Sequence, residues 1–260
     1  MISSLLRYAR MGLFHLREFS RVGYFTQLLL TTVISMVVIQ ELARFAWGGD
    51  PLHVFLRASV VGVWTSATSA AGILGFERAK GTLVFLLSGQ VSPFAATSAV
   101  ISAASTYGLL SFPLSYLTTC LCEWVLLPIP LAQWPVLLAE IVLLWIACLA
   151  MTHMIAAIFI LTPNAIRYEG LLLVPVLAIS GIFTGGVLTA TRGWDFLSAI
   201  GWLIPVRGPV LAMFDAGATH PVPCLLLASM TCSLAWFIVS WWCGALALRR
   251  ARRTATLEVY

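Results

Sequence analysis

Charge is what this sequence has least of. Asp, Glu, Lys and Arg make up only 10% of its 260 residues, against roughly 25% in an ordinary soluble domain. Lysine occurs once, at Lys80, so nearly all positive charge is arginine. A chain with so little polar surface cannot dress a water-facing globule. Its hydrophobic share is 60%, where a soluble fold has ~45–50%. Other absences exclude chemistry. The lone lysine precedes Gly81 rather than following a glycine-rich loop, so no P-loop exists and the chain cannot hold ATP in that way. Neither an H-E-x-x-H pair nor a G-x-S-x-G elbow is present, which removes the common hydrolase signatures. Cys120-x-Cys122 has no second Cys or His pair at zinc spacing, and Cys148, Cys224, Cys232 and Cys243 stand singly in or beside apolar runs. All six cysteines read as small apolar side chains, with no disulfide framework or metal implied. No short apolar core with a small-residue cleavage site precedes the first long run, so no cleavable signal peptide is expected.

What the chain has instead is long apolar runs. A membrane-crossing helix needs ~20 mostly apolar residues, and six such runs fit, at about 23–46, 53–75, 94–122, 135–161, 170–189 and 221–247. The sequence therefore predicts an all-α integral membrane protein, a single domain over 1–260. Residues 1–22 precede the first run as an amphipathic interfacial helix. At about 100° per residue, Arg7, Arg10, Arg17 and Arg21 share one narrow sector, opposite Leu5, Ala9, Leu13, Leu16 and Phe19. Pro113 predicts a kink in the third run. Gly181-x-x-x-Gly185 in the fifth is a small-xxx-small packing pattern. The connector 190–220 is too apolar for an aqueous loop. Trp194, Trp202 and Ile204 alternate with Gly201, Pro205, Gly208 and Pro209, as in two half-inserted helices broken between them.

Arginine placement sets the orientation. With both termini on the cytosolic side, the inner segments hold Arg7, Arg10, Arg17, Arg21, Arg78, Lys80, Arg167, Arg249, Arg250, Arg252 and Arg253. Only Arg44, Arg57, Arg192 and Arg207 fall outside, where Trp47, Trp124, Trp134, Trp194 and Trp202 form an aromatic belt. Arg57 sits one to two turns inside the second run, shallow enough to snorkel outward. The net charge of +5 is then explained by anionic lipid rather than nucleic acid. Residues 248–260 become a cytosolic tail.

The chain is organised around one interruption. Glu77, Arg78 and Lys80 are too costly to leave in hydrocarbon, at a few kcal/mol each. Gly81 breaks the run, Thr82 can cap a new helix, and Leu83, Leu86 and Leu87 share one face. Val91-Ser92-Pro93 follows. These residues resemble the signature of ABC type-2 transporter permeases, although Val84 stands where that family usually carries an acidic residue. The resemblance implies a cytosolic coupling helix between spans two and three that docks on a separate ATPase, with Glu77, Arg78, Lys80, Gly81, Thr82, Leu83, Leu86 and Leu87 as coupling residues. It implies a re-entrant helical pair between spans five and six, where Ile204-Pro205 keeps the family's proline and lacks its asparagine. It also implies two copies of the ATPase carrying ATP and Mg, a second permease, identical or sister, met through Gly181 and Gly185, and a bacterial cytoplasmic membrane. No cofactor is expected on this chain, and it is not an enzyme by itself. The cargo would be an amphipathic drug, antibiotic, lipid or glycolipid moved outward.

Two intramembrane ionisable residues, Glu140 and His153, keep a second reading open: a proton-coupled carrier or a membrane enzyme. Thirteen positions apart on one helix, they lie roughly 20 Å from one another and cannot act as a dyad alone. Structural roles for both compete with a place on a substrate or proton path.

Overall fold

The computed structural model describes residues 2–79, 92–161, 169–183, 199–214 and 221–253. Among these the secondary structure is helical, with no strand. Helix α1 spans Ile2–Arg21, α2 Gly23–Trp47 and α3 Pro51–Ala79. Then follow α4 (Pro93–Gly108), α5 (Ser111–Glu123), a 3₁₀ turn at Leu131–Gln133 and α6 (Trp134–Leu161). Three more complete the described chain: α7 (Glu169–Ser180), α8 (Arg207–Phe214) and α9 (Val222–Arg253).

Turn chemistry fixes the boundaries. Gly48, with φ of 79°, stops α2 in a conformation that costs a glycine little. The Asp50 carboxylate then accepts from the Leu52 amide at 2.9 Å, and Pro51 occupies the first helical position of α3. Ser92 and Pro93 repeat the device at α4, with the Ala95 amide donating to Ser92 Oγ at 3.3 Å. The expected kink of the third run is a break at Leu109–Leu110, where amides bond three residues back. Pro113 lies in the first turn of α5, where its missing amide is not needed.

Helix α3 is the hub, packing against α2, α4, α5, α6, α7 and α8. It carries buried Ser59, Ser66, Thr68 and Ser69 because small residues let backbones approach. Its seam with α5 is tight. Ser59 Oγ lies 2.5 Å from Ser115 Oγ, and Ser111 Oγ donates to the Ser59 carbonyl at 2.8 Å. A Cβ on Gly108 would come within 2.9 Å of Ser66 Cβ. Trp64, Val60, Leu144 and Ile182 lie in the surrounding apolar core.

Four stretches are long and apolar enough to cross a membrane: Gly23–Trp47, Phe94–Glu123 (α4 with α5), Leu131–Phe159 and Val222–Ala247. Two are scarcely covered, with 22% of the α2 window and 17% of the α9 window buried. Ile34, Val38 and Leu42 on α2, and Leu227, Leu234, Ile238 and Trp241 on α9, stand exposed. Apolar faces on that scale fit lipid, not water, and point to a membrane protein. The other two expected runs differ. Helix α3 is 29 residues long and carries Arg57 and a row of hydroxyls among its apolar residues. Helix α7 has 12 residues and ends at Ser180, well short of the expected 189. At ~1.5 Å per residue it measures only ~18 Å. Pro175 weakens it from within, and Gly181, at φ of 88°, ends it. At the other end of the chain, α9 continues to Arg253, so the tail expected from 248 begins as helix.

Helix α1 forms as expected, but its apolar side divides. Phe19 is buried among Ala70, Val100, Ala103 and Ala104, and Tyr8 Oη lies 2.8 Å from Ser102 Oγ. Leu13, expected beside Phe19, is 67% exposed, and Leu6 is 52% exposed. One flank thus docks on α3 and α4 while the other stays open beside the arginine stripe.

Candidate functional site

The residues expected to couple to a partner fall mostly outside the described region. Glu77 and Arg78 belong to the last turn of α3, with their side chains not described. Lys80, Gly81, Thr82, Leu83, Leu86 and Leu87 all lie in 80–91, outside the described residues. What is visible is the frame: α3 and α4, which flank that segment, pack against one another. Arg7, Arg10, Arg17 and Arg21 are all exposed on α1.

Glu140 and His153 sit apart in different surroundings. His153, 8% exposed, ties three helices together. Its Nδ1 lies 2.7 Å from the Leu149 carbonyl and its Nε2 2.9 Å from Ser98 Oγ of α4. Phe94 of α4 and Phe237 of α9 cover the ring at centroid distances of 5.8 and 5.6 Å. A carbonyl can only accept, so Nδ1 carries the proton, and the neutral ring accepts from Ser98 through Nε2. Every polar atom is satisfied without a charge. We expect His153→Phe to destabilise the bundle by about 1 kcal/mol. Ser98→Ala with His153→Phe should recover most of that, because both partners then become apolar. Thermal unfolding in micelles of the two singles and the double checks the pair. Glu140, 5% exposed near the start of α6, forms no hydrogen bond or ion pair among the described residues. Nothing links it to His153.

The structure gathers charge elsewhere, at the end of the bundle bearing the 48–50 turn and the α5–α6 loop. Arg44 donates through Nε to Glu41 Oε2 at 2.8 Å and through Nη2 to Glu123 Oε1, joining α2 to α5. Arg57, expected to snorkel outward, instead turns sideways and is half-buried. Its Nη1 donates to Gln40 Oε1 of α2 and its Nε to the Ile182 carbonyl past α7, both at 3.0 Å. The guanidinium lies 5.6 Å from the centroid of Phe214, whose ring also meets His53 edge to face at 5.5 Å. An arginine on α3 reaches these acceptors because α7 stops short and leaves carbonyls open at the negative end of its dipole.

No known protein family, curated protein or solved structure matches the chain.

A second arginine reaches the same turn. Arg207, 3% exposed, donates from Nη1 to the Ile179 carbonyl at 3.3 Å and stacks 5.4 Å from the Trp202 ring centroid. Gly201 makes room for it, since a Cβ there would overlap the guanidinium. The broken backbone around 202–206 would leave carbonyls bare, and α9 supplies the donors. Trp236 Nε1 (2.7 Å) and Cys232 Sγ (3.3 Å) donate to the Leu203 carbonyl, and Ser229 Oγ donates to Pro205 at 2.7 Å. Cys232 thus does more than fill space. Gly181 is buried in this cluster beside Leu211, outside any helix. The expected helical Gly181-x-x-x-Gly185 face is therefore not formed at its first glycine, and Gly185 is outside the described residues.

The serine–glycine seam and the α9 donors carry no charge pattern that singles them out in the sequence. Arg57 and Arg207 do, as cations inside apolar stretches, but their inward direction follows from where α7 ends. Among the described residues no three His, Cys, Asp or Glu side chains group as a metal site.

Proposed function

We propose that this chain is the membrane-spanning permease subunit of an ABC exporter that moves an amphipathic substrate outward, driven by a separate ATPase. In this reading the bundle crosses the bilayer six times. Helix α3 and the run that begins with α7 add the second and fifth crossings to the four plain ones. Both termini are cytosolic, and residues 199–214 belong to the re-entrant pair. A second permease, identical or sister, completes the pathway, and two ATPase subunits bring ATP and Mg.

One observation supports the reading: the motif from Glu77 to Leu87 stands in the sequence between two helices, α3 and α4, that pack against one another. The basic face of α1, which packs on α4, supports it, because the positive-inside bias puts both on the cytosolic side. The separation of Glu140 from His153, with His153 satisfied by Ser98 and Leu149, favours the exporter over a carrier or enzyme built on that pair. The test is a detergent pull-down with the full chain as bait, comparing wild type with Gly81→Pro plus Leu86→Glu. Wild type should recover an ATP-hydrolysing subunit, and the double variant should lose it while still folding. Recovery unchanged in the variant, or no ATPase with wild type, would end the assignment.

A further inference from the structure

The bundle supplies a donor to most of the carboxylates whose side chains are described. Glu18 pairs with Arg21, Glu41 and Glu123 pair with Arg44, and Asp50 accepts from the Leu52 amide. Glu140 is the exception. It is the one Asp, Glu, Lys or Arg among the 28 residues of α6, it is 5% exposed, and among the described residues it makes no hydrogen bond or ion pair. Helices α3 and α8, which pack against α6, bring Arg57 and Arg207. Those cations are engaged elsewhere, Arg57 with Gln40 and the Ile182 carbonyl, Arg207 with the Ile179 carbonyl. Arg78 stands at the other end of α3, α4 has no Lys or Arg, and α9 has none before Arg249. A carboxyl buried alone among apolar side chains either keeps its proton or has a cation brought to it. An apolar residue would fill the place at lower cost, so the position is better explained by what the carboxyl can meet.

Its place on the helix gives the side of approach. Glu140 lies ~9 Å along α6 from Trp134, within the first two turns. Leu144, one turn on, is fully buried, and Leu137 and Ile141 pack on the apolar core. On the helical period Val136 and Leu143 flank Glu140 to one side, and Val136 is 44% exposed. The carboxyl thus stands just behind a surface open to lipid. We infer that Glu140 receives the positive group of a lipophilic cation, an ammonium or phosphonium on an apolar body. The body lies against α6 at Val136 and Leu143, and the charge enters beside them. There the low polarity strengthens the attraction between carboxylate and cation well beyond its value in water. With no donor from the bundle, the carboxylate keeps all of its acceptor capacity for the guest. That this guest is also the cargo rests on the exporter reading; that it binds does not.

The test uses two probes of one shape and opposite charge, tetraphenylphosphonium and tetraphenylborate, bound to the purified full chain in phosphatidylcholine nanodiscs. Against empty nanodiscs, wild type should hold the phosphonium in preference. Glu140→Gln, close in shape and uncharged, should lower phosphonium binding about tenfold, the size of one lost charge-assisted contact, and leave the borate unchanged. Glu140→Asp, which keeps the charge on a shorter stem, should fall between and decides the matter if Glu140→Gln does not fold. Asp50→Asn controls for cation held by the exposed turn before α3. A preference lost only in that control, or unchanged in Glu140→Gln, overturns the inference. An arm with millimolar magnesium separates the sources: if the metal alone displaces the phosphonium, the site is one for an inorganic cation and the proposal falls. Arg192 and His220 lie outside the described residues. If Arg192→Gln or His220→Gln lowers the melting temperature as Glu140→Gln does, and the matching double variant adds nothing, Glu140 serves an internal pair and the inference fails. ATPase capture, measured separately, distinguishes the two readings: phosphonium binding lost with capture intact, or the reverse, sinks only one of them.

Discussion

Replacing Gly62 by leucine is expected to prevent the bundle from assembling. A Cβ at this position would lie 2.5 Å from Ser111 Cβ and 2.8 Å from Val33 Cγ2, so α2 and α5 both press on α3 there. Even alanine must push one of them away, and overpacking of that kind costs about 1–3 kcal/mol. Leucine adds three more carbons to a gap that has no room for the first. The Ser111–Ser59 and Ser59–Ser115 bonds depend on the same close approach and would part with it. Gly62→Ala should still fold with a lower melting temperature in micelles. Adding Ser111→Gly with Val33→Ala removes both opposing atoms and should restore part of the loss. An unchanged melting temperature in Gly62→Ala, or no gain in the triple variant, would mean the seam is looser than described.

The second large effect is expected at Gly208. Its missing Cβ faces the Leu225 carbonyl at 2.6 Å and Ser229 Cβ at 2.7 Å. The first of these atoms is backbone and cannot swing aside, so Gly208→Ala must lift α8 from α9. That movement would pull Pro205 from Ser229 and loosen the Leu203 carbonyl from Trp236. A lost hydrogen bond to a buried carbonyl costs about 1–3 kcal/mol, and here several would weaken together. Proteolysis within the 199–214 segment, slow in wild type, should become fast in Gly208→Ala. Ser229→Ala should produce a smaller rise, since one donor is removed and the spacing stays. Equal cleavage of Gly208→Ala and wild type would show that α8 does not depend on this contact.

Much of the frame was legible because the signals are local. Apolar length marks α2, α6 and α9, and Asp50-Pro51 and Ser92-Pro93 are helix starts that any reader can find. The arginine sector of α1 needed only the helical period. What was not legible depends on neighbours. Leu13 and Phe19 both fall outside the arginine sector, though about 120° apart on a helical projection, and only Phe19 meets α3 and α4. Gly181 and Gly185 match a helix-packing pattern at spacing four, a spacing that matters only if the helix continues. Pro175 and the positive φ of Gly181 stop it first. Arg57 was readable as a snorkelling cation because its nearest helix end is close. It turns sideways because α7 ends early and leaves carbonyls to be met, a fact no window of sequence around 57 contains. His153 showed its burial in the sequence but not its partner, since Ser98 lies 55 positions away.

The stitching of the 199–214 segment to α9 has a bearing on how the protein is made. The acceptors, Leu203 and Pro205, precede their donors, Ser229, Cys232 and Trp236, in the order of synthesis. A growing chain therefore reaches a stage at which this segment has emerged and its α9 donors have not. Until α9 arrives, the 199–214 segment would expose those carbonyls, which costs least in the company of water or a chaperone. Helix α9, made after the segment it stitches, is thus what lets that segment settle, and the two are expected to take their places together rather than one after the other.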